Sequence, residues 1–180
     1  MNQYLALLRG INVSGQKKIK MAELISHCLA IGFEKPSSYI QSGNVLFHSI
    51  NDDPQQLALQ LKEKIVQVYG YDVAVIVINK ATVENTLLKL PFNDIDVANE
   101  GNKVLVSFLA CSPKNEAVEH LLSYVIAPEN LVIDNNVVYL HCPNGYGKSK
   151  LSNNFVENKL KVVATTRNLK TIVKLVELMA

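Results

Sequence analysis

Arginine is rare in this chain, and its two occurrences have side chains suited to binding an anion. Arg9 and Arg167 are the only arginines among 18 basic residues. A guanidinium group forms two parallel hydrogen bonds to a phosphate or carboxylate, which an ammonium group does not do. Each arginine stands near an asparagine, Asn12 and Asn168, whose amide can orient a bound group. Both arginines are therefore candidate ligand-binding residues. The alternative is that each arginine binds backbone carbonyls and holds its own loop.

A long polar loop, residues 9–20, follows the first apolar run of the chain. It carries four basic residues and no acidic one: Arg9, Lys17, Lys18 and Lys20. The corresponding connection in the second half, residues 110–113, is much shorter. Added loops on a scaffold carry function more often than stability, and the amides that begin the next helix favour anions. The loop is therefore predicted to bind an anionic group.

Two turns with glycine supply further candidate ligand contacts. Around Gly43, the polar residues Gln41, Ser42 and Asn44 separate two short strands, although turn chemistry alone also explains them. The second turn, residues 145–149, contains Lys148 and has a partial likeness to a phosphate-binding loop. The spacing of a P-loop requires glycine at position 142, where this chain has cysteine, so a nucleotidase loop is not expected. A looser anion site on the amides of this turn and a plain glycine turn remain as alternatives.

No pattern typical of a metal site or of known catalytic machinery is found. His48 and His141 end equivalent predicted strands, but no cysteine or acid stands beside either at ligand spacing. Motifs that pair a nucleophile with a base are missing. We expect no metal and no cofactor, and whether the protein is an enzyme stays open.

Composition and charge narrow the class of protein. Of the 180 residues, 48% are hydrophobic and 19% are charged, which excludes a disordered chain. The net charge of +2 is too small to indicate a nucleic-acid-binding protein. The charge is uneven, however: residues 1–50 carry +3 and residues 135–180 carry +5, whereas the middle is acidic. If the two ends meet they form a positive face; ordinary solvated lysines are the alternative.

Cysteine usage and hydropathy indicate where the protein works. The three cysteines form no Cys-x-x-Cys pair, which favours a reducing compartment. No apolar run approaches the length of a membrane span, and the apolar N-terminus has no basic flank. We expect a cytoplasmic protein with no membrane partner, and its oligomeric state is not determined by the sequence.

Apolar periodicity predicts the same order of elements twice. In the first half it predicts, in order, a strand at 3–8, a helix from Met21, strands at 38–41 and 45–48, a helix from Pro54 capped by Asp53, and a strand at 73–78. A linking helix follows at 80–89. In the second half it predicts a strand at 103–109, a helix after Ser112-Pro113, a hairpin of 131–133 and 137–140, a short helix marked by Leu151 and Phe155, a strand at 161–165 and a closing helix at 171–179. This order is β-α-β-β-α-β, the ferredoxin-like unit.

Short matches between the halves support an internal duplication. Residues 45–48 match residues 138–141, which lie 93 positions later, and Leu57 and Leu61 align with Leu151 and Phe155, 94 positions later. The predicted fold class is α+β, with two ferredoxin-like halves from an internal duplication and a C-terminal helix. The predicted domains are 1–79 for the first half, 80–101 for the linking helix and loop, and 102–180 for the second half.

Four stretches resemble a bacterial family of unknown function, catalogued as domain of unknown function sixteen-ninety-seven. They are residues 6–13 (ALLRGINV), 39–45 (YIQSGNV), 147–151 (GKSKL) and 164–168 (ATTRN). The likeness runs from about Tyr4 to Leu178. This chain departs from the family pattern at Ser14, where a second glycine is usual, and at Leu169, where a bulkier residue is usual. The resemblance implies a duplicated ferredoxin-like fold and no established activity.

These observations lead to one expected function and two alternatives. We expect a small ligand that carries phosphate or carboxylate, bound in a cleft between the two halves with Arg9 and Arg167 within about 8–10 Å of each other. Asn12, Gln41, Ser42, Asn44 and Asn168 would orient the ligand, and Lys148 would add charge. The alternatives are a nucleic-acid or protein interaction module that uses the positive face, and an enzyme acting on a nucleotide-like or sugar-phosphate substrate.

Overall fold

Apolar runs and amphipathic segments form eight strands and seven helices in the computed structural model, which describes residues 1–180. The strands are β1 (Asn2–Leu8), β2 (Glu34–Tyr39), β3 (Asn44–Ser49), β4 (Val75–Asn79), β5 (Val104–Leu109), β6 (Asn130–Asp134), β7 (Val137–His141) and β8 (Ala164–Asn168). The helices are α1 (Met21–Ala30), α2 (Pro54–Tyr69), α3 (Lys80–Leu88), α4 (Val97–Glu100), α5 (Asn115–Leu122), α6 (Asn153–Leu160) and α7 (Leu169–Leu178). The chain divides into two compact units between Val83 and Glu84.

The first unit is a four-stranded sheet with two helices on one face. Its strand order is β2-β3-β1-β4, and every neighbouring pair is antiparallel. Alternate residues of β1 (Tyr4, Ala6, Leu8) pack with the buried faces of α1 and α2. The side chains between them, Leu5 and Leu7, are also fully buried. Both faces of β1 are therefore covered, which explains why its sequence is a continuous apolar run.

The second unit repeats this arrangement. Its strand order is β6-β7-β5-β8, again antiparallel throughout. Leu105 and Leu109 of β5 pack with Leu121 of α5 and Leu160 of α6 in one apolar cluster. The fold class predicted from the sequence, α+β with two ferredoxin-like halves and a C-terminal helix, is confirmed.

Strand registers show which residues of the two units are equivalent. Leu5 of β1 pairs with Leu46 and Ile78, and Val106 of β5 pairs with Tyr139 and Arg167. Leu46 and Tyr139 are therefore equivalent, and they lie 93 positions apart, as the sequence match predicts. By the same register Arg167 occupies the place that an apolar residue, Ile78, holds in the first unit.

The helix part of the predicted alignment is wrong. Helix α2 begins after its cap Asp53, and α6 begins after its cap Ser152, which is 99 positions later. The buried pair Leu57 and Leu61 therefore corresponds to Val156 and Leu160 rather than to Leu151 and Phe155. Leu151 is buried but precedes the helix, because the connection before α6 is longer than the one before α2.

Other predicted boundaries also differ from the structure: the strand predicted at 38–41 is β2, Glu34–Tyr39, and two further differences concern β8 and α5. Lys161 ends α6 in the left-handed conformation, so β8 begins at Ala164 instead of residue 161, and Arg167 lies in a strand rather than in a loop. Ser112 does not cap α5: its hydroxyl donates to the Asn136 side chain, and the helix begins three residues later at Asn115. In both cases residues whose types suit a strand or a helix cap form a turn instead.

None of the seven helices combines the length and the hydrophobicity that a membrane-spanning helix needs.

Candidate functional site

Arg9 is held at a defined place in the first unit, directly after β1. Its amide donates to the carbonyl of Ala74 at 2.9 Å, and the preceding amide, that of Leu8, donates to the carbonyl of Gly43 at 2.8 Å. The backbone at Arg9 is therefore held by the residue that precedes β4, and the backbone at Leu8 is held by the β2–β3 hairpin. The prediction that Arg9 follows the first strand directly is confirmed.

Asn12 braces the loop instead of presenting its amide to solvent. Its Nδ2 donates to the carbonyls of Ile19 at 3.0 Å and Gln41 at 2.9 Å. Its Oδ1 accepts from the amide of Ile19 at 2.9 Å. Asn12 thus ties the two ends of the loop together and ties the loop to the β2–β3 hairpin. Its observed role is to position the segment that carries Arg9.

The backbone of this loop is tightly shaped. Five of its residues have positive φ: Gly10 (68°), Asn12 (55°), Ser14 (49°), Gly15 (76°) and Lys17 (44°). Three of them carry side chains, for which this conformation is unfavourable by about 1–2 kcal/mol per residue. A bridge between Val13 and Gln16 closes the tip. Such strain is typical of ligand-binding loops, where the surrounding structure imposes the conformation.

The β2–β3 hairpin uses most of its predicted ligand groups internally. The Nδ2 of Asn44, which is fully buried, donates to the carbonyl of Tyr39 and to the hydroxyl of Ser42, both at 3.0 Å. Gln41 accepts from Asn12 through its backbone, and its side chain is exposed. Turn chemistry therefore accounts for Asn44 and involves Ser42, and the side chain of Gln41 is available at the surface.

Gly43 allows the hairpin to approach the loop. Its φ is +78°, and a Cβ atom there would lie 2.7 Å from the Cβ of Leu8 and 3.0 Å from the Cδ1 of Ile11. Only glycine fits this close approach. The sequence around Gly43 indicates only an ordinary turn residue, because the neighbours that exclude a side chain are distant in the sequence.

The lysines of the loop are partly neutralised by neighbouring groups. Lys20 forms an ion pair with Glu23 at 3.0 Å. Lys17 donates to the backbone carbonyl of Asp72 at 2.6 Å, and the hydrogen bond from Lys62 keeps the pKa of the Asp72 carboxyl below its usual value. Lys18 is exposed. The loop therefore presents a smaller positive field than its composition indicates.

Arg167 is a buried residue of β8 in the second unit. It is 9% exposed, and its side chain lies on the face of the sheet opposite α5 and α6, with Val106 and Tyr139. Its Nη1 donates to the hydroxyl of Thr165 and to the carbonyl of Thr166, both at 2.9 Å. Burial lowers the pKa of the guanidinium to about 10, so the group remains charged at neutral pH.

An Arg167→Lys substitution should make stability depend on pH. A lysine buried in this place loses the fork geometry and has its pKa lowered by the same loss of solvent. The unfolded state then binds more protons than the folded state, so the free energy of unfolding rises as pH rises from 7 towards the unfolded lysine pKa. The wild type should show little change over the lower part of this range, because the pKa of its guanidinium is still about 10. Urea unfolding at several pH values measures the difference, and identical pH profiles for the two proteins would contradict it.

Asn168 has a structural role at the start of α7. Its Oδ1 accepts from the amide of Thr171 at 2.9 Å, and its Nδ2 donates to Asn102 at 3.0 Å. In the first unit the equivalent residue, Asn79, accepts from the amide and hydroxyl of Thr82 at the start of α3. Asparagine followed by a helix at the same place of both repeats is the sequence signal for this role.

The turn that contains Lys148 is not the start of a long helix. Residues Tyr146–Lys148 form one 3₁₀ turn, and the amides of Lys148 and Ser149 donate to carbonyls within it. Of the amides of residues 147–150, those of Lys148 and Ser149 are thus used within the turn, and α6 begins only at Asn153, so the structure favours the alternative of a plain glycine turn. Lys148 itself is exposed.

A polar network anchors this turn to β8. The Asn153 side chain accepts from the Thr166 hydroxyl at 2.7 Å, and that hydroxyl lies 2.7 Å from the hydroxyl of Ser107. Burial raises the pKa of Tyr146, which also hydrogen-bonds Thr166. The network lies on the α6 face of the sheet, whereas the side chain of Arg167 lies on the other face.

The structure shows no group of three histidine, cysteine or acidic residues that could hold a metal ion. His48 and His141 occupy equivalent places in β3 and β7, although β3 continues to Ser49, and each has a buried ring nitrogen without a hydrogen-bond partner. The ring of His141 packs against Phe92, with centroids 5.5 Å apart.

The predicted site residues fall into two groups. The first unit brings together Arg9, Asn12, Gln41, Ser42 and Asn44 around the loop and the hairpin. The second unit holds Lys148, Arg167 and Asn168. The predicted proximity of Arg9 and Arg167 stays a prediction.

Comparison with known proteins places this chain in a family. Residues 1–139 match the model of the family described as "protein of unknown function (DUF1697)". The chain is similar to a solved structure, the conserved bacterial protein SP0830 from Streptococcus pneumoniae, with 25% identity, a TM-score of 0.74 and coverage of 99% of each chain. No curated protein matches it. A likeness over nearly the whole of both chains, together with the family match, means that this chain belongs to the DUF1697 family.

Proposed function

We propose that the protein binds a small ligand carrying phosphate or carboxylate, and that Arg9 makes the bidentate contact. The observation that carries the proposal is the strained, braced loop of residues 9–20. A connection between a strand and a helix does not need five positive φ values and three side-chain hydrogen bonds from one asparagine. Such bracing lowers the entropy lost when a ligand binds, which raises affinity.

The chemistry of the loop favours an anion. Its first residue is one of only two arginines, and its lysines add positive charge at the same end of β1. Gln41, exposed on the adjoining hairpin, is within the same group of residues and offers an amide for a second polar contact.

The cysteines support action in the reducing cytoplasm. None of the three thiols forms a disulfide: Cys28 and Cys142 are buried, and Cys111 is exposed.

Replacing Arg9 with lysine tests this proposal, because the charge is kept and the fork is lost. We expect the dissociation constant for the best anion among inorganic phosphate, citrate and ATP to rise about 10- to 100-fold, as for the loss of a charge-assisted hydrogen bond. The melting temperature without ligand should change little. Titration calorimetry and thermal melting with and without the anion measure the two effects.

The control is Lys64→Gln, which removes a positive charge from a half-exposed position on α2. It should leave anion binding unchanged. If Arg9→Lys lowers the melting temperature equally with and without the anion, Arg9 holds its own loop and the proposal fails. If only oligonucleotides bind, with an affinity that falls steeply with salt, the interaction-module alternative replaces it.

A further inference from the structure

The two units differ in how they protect equivalent edge strands. In the first unit the edge strand β2 contains Pro36, which has no amide hydrogen to donate. Lys35 has a positive φ of 47°, and the register with β3 shifts between Glu34 and Ser37. Proline, a bulge and a lysine are the devices with which proteins prevent an edge strand from pairing with another chain.

The equivalent edge strand of the second unit, β6, has none of these devices. Its register with β7 is continuous from Asn130 to Asp134, and none of its residues has a positive φ. Its backbone groups bond only to β7, so its outer side presents unpaired amides and carbonyls. The two units share one strand order, so β2 and β6 are equivalent edges. The proline, the bulge and the lysine that prevent β2 from pairing with another chain have no counterpart in β6.

The sequence of β6 is complementary to itself in the antiparallel direction. With Val132 opposite Val132 of a second copy, Leu131 faces Ile133, and Asn130 faces Asp134. Leu131 and Ile133 point towards α5 and α6, whereas the half-exposed side chain of Val132 points to the other face. On the helix face of the joined sheet apolar residues therefore meet apolar ones. On the other face Asn130 would lie opposite Asp134, whose carboxylate also accepts from Lys89 within its own chain at 2.8 Å.

A neighbouring apolar surface adds area to this edge. Leu122 at the end of α5 is 41% exposed, and Ile126 in the connection to β6 is 65% exposed. Two strands of five residues alone bury less than the roughly 1,000 Å² that a specific interface needs. A two-fold axis through Val132 is perpendicular to the sheet, so the two α5 helices would lie on the same face and side by side.

We propose that two copies of this chain associate through β6, antiparallel and centred on Val132, to form one continuous eight-stranded sheet from their second units. A two-fold contact of this kind uses the same surface on both copies and closes on itself. It also removes the unprotected edge, which is otherwise a site of aggregation.

Charges placed at Val132 test the proposal, because each copy meets its own substitution across the axis. Light scattering after size exclusion should give a dimer mass for the wild type, and a monomer mass for Val132→Lys and for Val132→Glu. Mixing the two variants should restore the dimer, because unlike charges then face each other. Ser37→Lys is the matched control: Ser37 occupies the same place in β2 as Val132 in β6, and this variant should remain a dimer.

A wild type that is monomeric up to millimolar concentration would overturn the proposal, as would a dimer that survives in both charged variants. If a charged variant does not fold, Val132→Cys in a Cys111→Ser background provides a second test. Oxidation with diamide should then crosslink two copies through position 132, since directly opposed residues of antiparallel strands have Cβ atoms about 4.5–5.5 Å apart. Absence of the crosslink would also overturn the proposal.

Discussion

Gly43→Ala should lower the free energy of unfolding by about 2–5 kcal/mol. An alanine at φ +78° is unfavourable by about 1–2 kcal/mol, and overpacking adds about 1–3 kcal/mol. The added methyl group would lie 2.7 Å from the Cβ of Leu8, which cannot move without distorting the centre of the first sheet. The melting temperature should fall by about 4–20 °C, since each kcal/mol corresponds to roughly 2–4 °C for a chain of this size.

Gly32→Ala is the matched control for the backbone term. Gly32 has a φ of +86°, and a Cβ atom there would meet nothing within 4 Å. It should therefore lose only the conformational part, about 1–2 kcal/mol. Equal losses in the two variants would show that the close approach of the hairpin to Leu8 and Ile11 contributes nothing. Urea unfolding of the two variants beside the wild type provides the comparison.

Asn12→Ala should destabilise the protein by about 2–5 kcal/mol and release the loop. The substitution removes three hydrogen bonds of about 0.5–1.5 kcal/mol each and puts alanine at a φ of 55°. It also leaves the amide of Ile19, in a residue that is 2% exposed, without its acceptor. Hydrogen exchange should become faster at the Ile19 amide, which gives a local measurement beside the global stability.

Asn12→Gly separates the two causes, because glycine adopts positive φ without strain. This variant should retain the loss of the three hydrogen bonds, about 1.5–4.5 kcal/mol, and recover the backbone part. A glycine variant as stable as the wild type, with an unchanged exchange rate at Ile19, would mean that the bonds of Asn12 do not brace the loop.

Local patterns in the sequence were sufficient for the fold class. The apolar run of β1, the Asp53-Pro54 start of α2 and the glycine that ends this helix each specify local structure through a few adjacent residues. Because both units share this order, the repeat was visible before any contact was known. The 93-residue match between β3 and β7 was correct for the same reason: strands that pair in the same register keep the same alternation of buried side chains.

Functional residues were harder to interpret than elements. Arg9 can be recognised as a candidate ligand-binding residue from the sequence, because it is one of only two arginines and directly follows a buried strand. The sequence also singled out Asn12 and Asn44, but not their roles, because the acceptors that use their amides are brought near only by folding. An asparagine that binds a ligand and one that binds a distant carbonyl are identical in the sequence.

What the sequence alone determined was the type and order of the elements, the repeat, and the few residues with chemistry suited to an anion. The tertiary structure decided which of them are free to act. It placed Arg167 within β8 because Lys161 ends the preceding helix later than its pattern indicates, and it moved the start of α6 beyond the Lys148 turn. It also revealed the need for glycine at position 43. These outcomes depend on contacts between distant segments, whose geometry no local pattern encodes.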